Sequence, residues 1–118
     1  MRFEQREIVQ IPFPYSDLSG SKKRPAIIIS NEKVNGSSNV ICCVVTTNPH
    51  KIDIPISNRD LEKIPLPFDS YIKHQMLFTV NKTLIIKKMS KLKQKPFNKL
   101  KERIYENIYA ILFKSFIR

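Results

Sequence analysis

The 118 residues carry 21 Lys/Arg against 10 Asp/Glu, a net charge of +11, with 42% apolar and 26% charged residues. That is enough chain for one domain, spanning 1–118, with one modest core. No apolar run approaches the ~20 residues of a membrane-spanning helix, and the opening MRFEQREIVQ lacks the apolar stretch of a signal peptide. A cytoplasmic protein with no membrane partner is therefore expected. The charge is uneven: residues 1–86 hold 11 Lys/Arg against 8 Asp/Glu, a net of +3, and residues 87–118 hold 10 against 2, a net of +8. Such a balance favours a polyanionic partner, although a generally lysine-rich composition would look the same. The adjacent Cys42 and Cys43 point to opposite faces of any strand and cannot pair with each other. Both are expected to be reduced, one in the core and one facing out.

In chain order, residues 7–13 (EIVQIPF) alternate, with Val9, Ile11 and Phe13 on one face of a predicted strand. Residues 14–24 read as a loop that ends in three cations, Lys22, Lys23 and Arg24. Pro25 opens an isoleucine-rich central strand over 25–30. Residues 31–39 form a second loop with a turn signal at Asn35-Gly36. Residues 40–47 (VICCVVTT) are the most β-prone stretch and end on Thr46 and Thr47. Residues 52–56 make a short edge strand, because Pro55 cannot donate to a ladder. A helical turn is expected near 59–63. Residues 70–80 read as a strand kinked near His74-Gln75, and a short strand lies within 83–92. From Pro96 onward the spacing of Phe97, Leu100, Ile104, Ile108, Ile111 and Leu112 is helical, with a second apolar stripe at Tyr105, Tyr109, Phe113 and Phe116. About six short strands and one C-terminal helix describe a mainly β fold, a small bent sheet or barrel. The doubly apolar helix end either sinks into the chain's own core or meets another chain, and a chain this small favours a partner surface.

The chain has no H-E-x-x-H, no Cys/His cluster, no Walker A, no G-x-G-x-x-G and no G-x-S-x-G. Neither a metal site nor a cofactor is expected. His50 and His74 lack an obvious carboxylate companion and read as surface residues. What remains is a polar rim with Arg24, Thr46 and Thr47. Cleavage of an RNA phosphodiester needs no metal, since the substrate's own 2′-OH can attack. The enzyme must orient that group, stabilise charge on phosphorus and protonate the leaving 5′-oxygen. An arginine fork binds two phosphate oxygens and keeps its charge in a desolvated site. A strand-end threonine can donate to the same phosphate. The bland alternative is a solvated Arg24 beside two threonines placed by β-propensity alone. On the residues alone, the cations Lys22–Arg24 fit a bare nucleic-acid contact better than a catalytic site.

The stretch IPFPYSDLSGSKKRPAIIIS resembles the opening of the PemK/MazF family of toxin endoribonucleases. NVICCVVTT is similar to that family's third strand with its terminal threonine, and SYIKHQMLFTVNKTLIIKKMSKL is similar to the Ser-Tyr, Thr-Val-Asn-Lys and Lys-Lys-x-x-Lys-Leu blocks that follow. The resemblance covers nearly the whole chain in order. It implies an SH3-like barrel that forms a homodimer. It also implies sequence-selective, metal-independent cleavage of single-stranded mRNA, and neutralisation by a cognate antitoxin. Carried over by position, Arg24 and Thr46 are the catalytic pair. Ser19, Lys22, Lys23, Asn31, Thr47 and Gln75 are substrate contacts, with residues 16–23 folding over the RNA. Two departures stand out. Arg6-Glu7 replaces the family's Gly-Asp before the first strand, and Gln75 lies one residue further from Thr79 than the family pattern has it.

Two other functions compete. One is a basic barrel that holds RNA or DNA without cutting it. The other is a gyrase poison of the CcdB type, which shares the fold without the chemistry. The pairing of Arg24 with Thr46 favours the nuclease. The charge favours an acidic, partly disordered antitoxin segment that folds on binding.

Overall fold

The computed structural model describes residues 1–14 and 21–109. Its strands are β1 (Glu7–Pro14), β2 (Ser21–Ile28), β3 (Asn39–Thr46), β4 (Ile54–Ile56), β5 (Ser70–Asn81) and β6 (Lys87–Lys91). Its helices are the single turn α1 (Glu32–Asn35) and the longer α2 (Gln94–Ile108). The strands form one antiparallel sheet in the order β4-β5-β3-β2-β1-β6. The sheet curls strongly. Two strands separate β1 from β5, yet the rings of Phe13 and Phe78 meet edge to face with centroids 5.2 Å apart. The fold is thus mainly β, a six-stranded half-barrel with a C-terminal helix, as the pattern of short strands predicts.

Period-two alternation divides the apolar residues between two cores. Ile8, Ile27, Cys43, Val45 and Ile72 face α2, whose Phe97 and Leu100 are fully buried against them. Val9, Ile11, Ala26, Ile28, Val40 and Cys42 line the inner face of the curl. The expectation that one cysteine faces out is therefore corrected. Cys42 and Cys43 do point to opposite faces, but both faces are covered and both thiols are buried. Burial pushes each thiol up to about 12, so neither is a reactive thiolate at neutral pH.

Several boundaries differ from the sequence reading for local reasons. Lys22, Lys23 and Arg24 are strand rather than loop, because the β1–β2 hairpin continues outward through Ile11–Arg24, Pro12–Lys23 and Phe13–Lys22. Pro25 is tolerated inside β2 because the ladder to β3 stops at Ala26–Val44, one residue short of it. The loop after β2 contains α1, whose N-cap Asn31 accepts the Lys33 N–H at 3.0 Å. Gly36 has φ −73°, so the Asn-Gly pair closes a helical turn rather than a mirror-image hairpin turn. The kink in β5 is a bulge. Cys43 pairs with Leu77 and Val44 with Lys73, which leaves His74, Gln75 and Met76 extra on β5. Pro96 is the third helical residue of α2 rather than the first, still within the turn that tolerates proline. Ile111, Leu112, Phe113 and Phe116 lie outside the described residues, whereas Tyr105, Ile108 and Tyr109 are exposed.

Arg6 has φ 81°, a left-handed conformation that glycine adopts freely. Its side chain offsets the strain. Nη1 donates to Glu62 Oε2 at 2.6 Å and to the Leu92 carbonyl at 2.8 Å, tying the start of β1 to the end of β6. Arg6→Gly trades these ties for relief of strain, whereas Arg6→Ala loses the ties and keeps the strain. Arg6→Ala is expected to be less stable than Arg6→Gly by about 1 kcal/mol, measured by urea unfolding. Equal midpoints would contradict this account.

Candidate nucleic-acid interface

Residues directly opposite in an antiparallel pair share a face. Ile11 lies opposite Arg24, and Thr46 lies opposite Tyr71, which in turn lies opposite Pro55. The β2–β3 register, continued two residues past Ala26–Val44, sets Arg24 across from Thr46. The paired residues Ile11 and Arg24 on one side, and Thr46 and Tyr71 on the other, thus fall in line on the inner face, just past the last β2–β3 pair, where the apolar lining gives way to polar groups. Arg24 and Tyr71 are half-buried, and Thr46 is buried at 4% exposure. Thr46 Oγ1 accepts the Asn48 N–H at 3.0 Å, which fixes the hydroxyl oxygen and leaves its proton to donate.

Lys22 lies two residues before Arg24 on the same face of β2, and Lys23 lies on the opposite face; both are exposed. Thr47 is exposed just beyond β3. Asn31 is not brought to this end. It follows the far terminus of β2, about 23 Å from Arg24 at the usual rise per residue, and caps α1 beside a separate open cleft at the N-terminal segment. Ser19 lies outside the described residues.

Next to Thr46 is a polar cluster that the sequence reading did not assemble. Lys73 is on the same face as Tyr71, opposite Val44. Its Nζ donates to Asp53 Oδ2 and to His50 Nδ1, both at 2.9 Å. Asp53 Oδ2 also accepts the His50 N–H at 2.8 Å. The Asp53 side chain is fully buried, which alone would raise its pKa. The His50 N–H, the Lys73 ammonium and the Gln75 amide outweigh that and hold it below its ordinary value. Gln75 is thus exposed in the bulge beside Asp53. His74 is corrected from a surface residue to a buried one. The bulge turns its ring inward, so that Nε2 meets the Ile52 carbonyl at 2.8 Å and Nδ1 meets Asn107 Nδ2 of α2 at 2.8 Å. Among the described residues, no three His, Cys, Asp or Glu side chains group as metal ligands would, and no helix is long and apolar enough to cross a membrane.

With this geometry in view, comparisons with known proteins are decisive about kinship. The profile of the PemK-like, MazF-like toxins of type II toxin–antitoxin systems matches residues 4–108. The chain belongs to this family. Solved structures of similar fold include an endoribonuclease from a Mycobacterial species, with a TM-score of 0.70, 16% identity and 90% of each chain covered. A second is an endoribonuclease in complex with its cognate antitoxin, also Mycobacterial, with a TM-score of 0.68 and 18% identity over 88% of this chain and 92% of that one. MazF from Deinococcus radiodurans has a TM-score of 0.71 and 11% identity over 93% and 99% of the two chains. A comparison with curated protein sequences gave no match. The fold resemblance inferred from short sequence blocks is therefore correct across nearly the whole of this toxin-family chain.

The buried Lys73–Asp53 pair yields a stability prediction. Lys73→Met leaves a buried carboxylate without its cation. The expected loss is about 2 kcal/mol at neutral pH, between the values for exposed and fully buried pairs. Because the folded-state pKa of Asp53 lies below its ordinary 3.8, the wild-type stabilisation is complete above that value and fades as pH falls through the lower folded value. The deficit of Lys73→Met should accordingly shrink in acid, read as the difference in unfolding midpoint between pH 7 and pH 3. A deficit independent of pH would contradict the pairing.

Proposed function

We propose that this chain is a toxin endoribonuclease. It would cut single-stranded mRNA sequence-selectively and without a metal, by attack of the 2′-OH on the adjacent phosphate. The products would be a 2′,3′-cyclic phosphate and a 5′-OH. The observation that carries the reading is the β2–β3 register, which if continued two residues past Ala26–Val44 would put Arg24 across from Thr46. Arg24 would grip the non-bridging oxygens as negative charge grows on them, and its charge persists in a half-buried site. The Thr46 hydroxyl, its oxygen already held by Asn48, would donate to the same phosphate. Lys22 and Lys23 would hold the flanking backbone, and Thr47 and Gln75 would line the approach. Asn31, at the other end of β2, could contact only a more distant part of the strand. Ser19, in the stretch 16–23 expected to fold over the RNA, completes the set of substrate contacts.

The partner reading rests on charge and on the helix. The carboxyl-terminal third is strongly basic, and α2 ends with Tyr105, Ile108 and Tyr109 exposed. Those features suit a homodimer and a cognate antitoxin with an acidic segment. The Mycobacterial endoribonuclease of similar fold whose structure holds its cognate antitoxin supports the antitoxin part of this reading.

With mixed single-stranded RNA in EDTA, the wild-type protein is expected to produce discrete cuts with cyclic phosphate ends. Arg24→Ala should slow cleavage by about 100-fold or more, and Thr46→Val by about tenfold. Equal rates for Arg24→Ala and wild type would remove Arg24 from the chemistry. RNA left intact while gyrase–DNA complexes accumulate would point instead to the gyrase-poison reading.

A further inference from the structure

The cluster beside Thr46 adds a second kind of proton donor near the row, an imidazole, to the guanidinium of Arg24 and the hydroxyl of Thr46. The Lys73 ammonium has only donors, so His50 Nδ1 must accept from it at 2.9 Å, and the imidazole proton then resides on Nε2. His50 is exposed, and among the described residues its Nε2 has no recorded partner. His74 cannot serve in the same way, since it is buried with both ring nitrogens engaged. His50 lies four residues beyond Thr46. Lys73, which anchors it, lies diagonal to Thr46 across the β3–β5 pair, about 7–8 Å away between Cα atoms. The His50 imidazole is therefore tied to a residue that shares the face of Thr46 and Tyr71, two residues along β5 from the partner of Thr46. Asp53 completes the arrangement. It binds both the Lys73 ammonium and the His50 main-chain N–H, so one buried carboxylate fixes the cation and the loop that carries the imidazole. The charged groups facing His50 are Lys73 and Asp53, with Arg24 further along the row.

We propose that His50 is a further catalytic residue, the general acid that protonates the 5′-oxygen leaving group, with Lys73 as its proton reservoir and Asp53 as the residue that positions both. This rests on the endoribonuclease reading above. In the step, the 2′-oxygen forms a bond to phosphorus and the bond from phosphorus to the 5′-oxygen breaks. His50 Nε2 gives its proton to the 5′-oxygen while Lys73 passes one to Nδ1, so the imidazole stays neutral throughout. Water takes the 2′-OH proton and later returns one to the Lys73 amine, which closes the balance. Asp53 holds the Lys73 amine beside His50 before the step, so the relay starts aligned.

The test uses RNA in which the 5′-bridging oxygen at the mapped cut site is replaced by sulfur, because a thiolate leaves without being protonated. On ordinary RNA, His50→Ala and His50→Gln should each slow single-turnover cleavage by about 100-fold. On the sulfur-bridged substrate both should return to within about tenfold of wild type, while Arg24→Ala stays slow on both, since charge on the phosphate still needs stabilising. His50 is an exposed loop residue, and unchanged thermal unfolding of both variants would confirm that the scaffold is intact. Equal slowing on both substrates, or no slowing on ordinary RNA, would overturn the role of His50 and leave the assignment of Arg24 standing. A wild-type protein that cuts neither substrate would overturn the endoribonuclease reading, and this proposal with it.

Discussion

The register between β2, β3 and β5 is the constraint on which the rest of the structure depends. A shift of one residue in any of these pairs would send a whole strand's side chains to the opposite face. The alternation of Ile27, Cys43 and Val45 against Ala26, Val40 and Cys42 makes such a shift costly, because both sets are buried. The same register that satisfies two cores also carries Arg24, Thr46 and Tyr71 onto one row at the sheet's end. The polar site is thus an extension of the hydrophobic pattern rather than a separate device. A cation and a hydroxyl held by packed strands would need little reordering to meet an anion, which is how preorganised electrostatic sites act.

The β5 bulge modifies this plan locally. Three extra residues let β5 change what it presents without disturbing its pairing on either side. Before the bulge, Lys73 faces the row and pairs with Asp53 and His50. Within it, His74 turns to the opposite side and is held between the Ile52 carbonyl and Asn107 of α2. His74 thereby joins the helix to the segment before β4. The exposed Tyr105 and Ile108 belong to the same stretch of helix as Asn107, so a protein docking there would lie next to the residue that steadies the bulge.

The strands and the helix were legible because each is coded locally. Alternation marks β1 and β3, Pro55 marks an edge, and the spacing of Phe97 and Leu100 marks α2. Arg24 and Thr46 were singled out by chemical type and family resemblance, and their adjacency required only that neighbouring strands pair. Three features were hidden because they depend on the curl or on distant partners. Cys42 is buried because the sheet closes over its inner face. His74 is buried because a bulge turns it. Lys73 finds Asp53 and His50 across 20 and 23 positions of chain, through a pairing that no local pattern specifies. Asp53 gave a faint signal, as an acidic residue in an otherwise apolar edge segment, but its role appears only with its partners. Arg6 shows the reverse case. A positive φ is a backbone feature that glycine would signal, and here an arginine holds it while its side chain makes two long-range hydrogen bonds.

The central claim is that this row holds a phosphate for attack by the substrate's own 2′-OH. The most direct measurement replaces the ribose on the 5′ side of the mapped cut site with 2′-deoxyribose and follows cleavage in EDTA. The account predicts that the modified oligonucleotide binds as tightly as its parent and remains whole. Cleavage of the deoxy substrate at the parent's rate would contradict it.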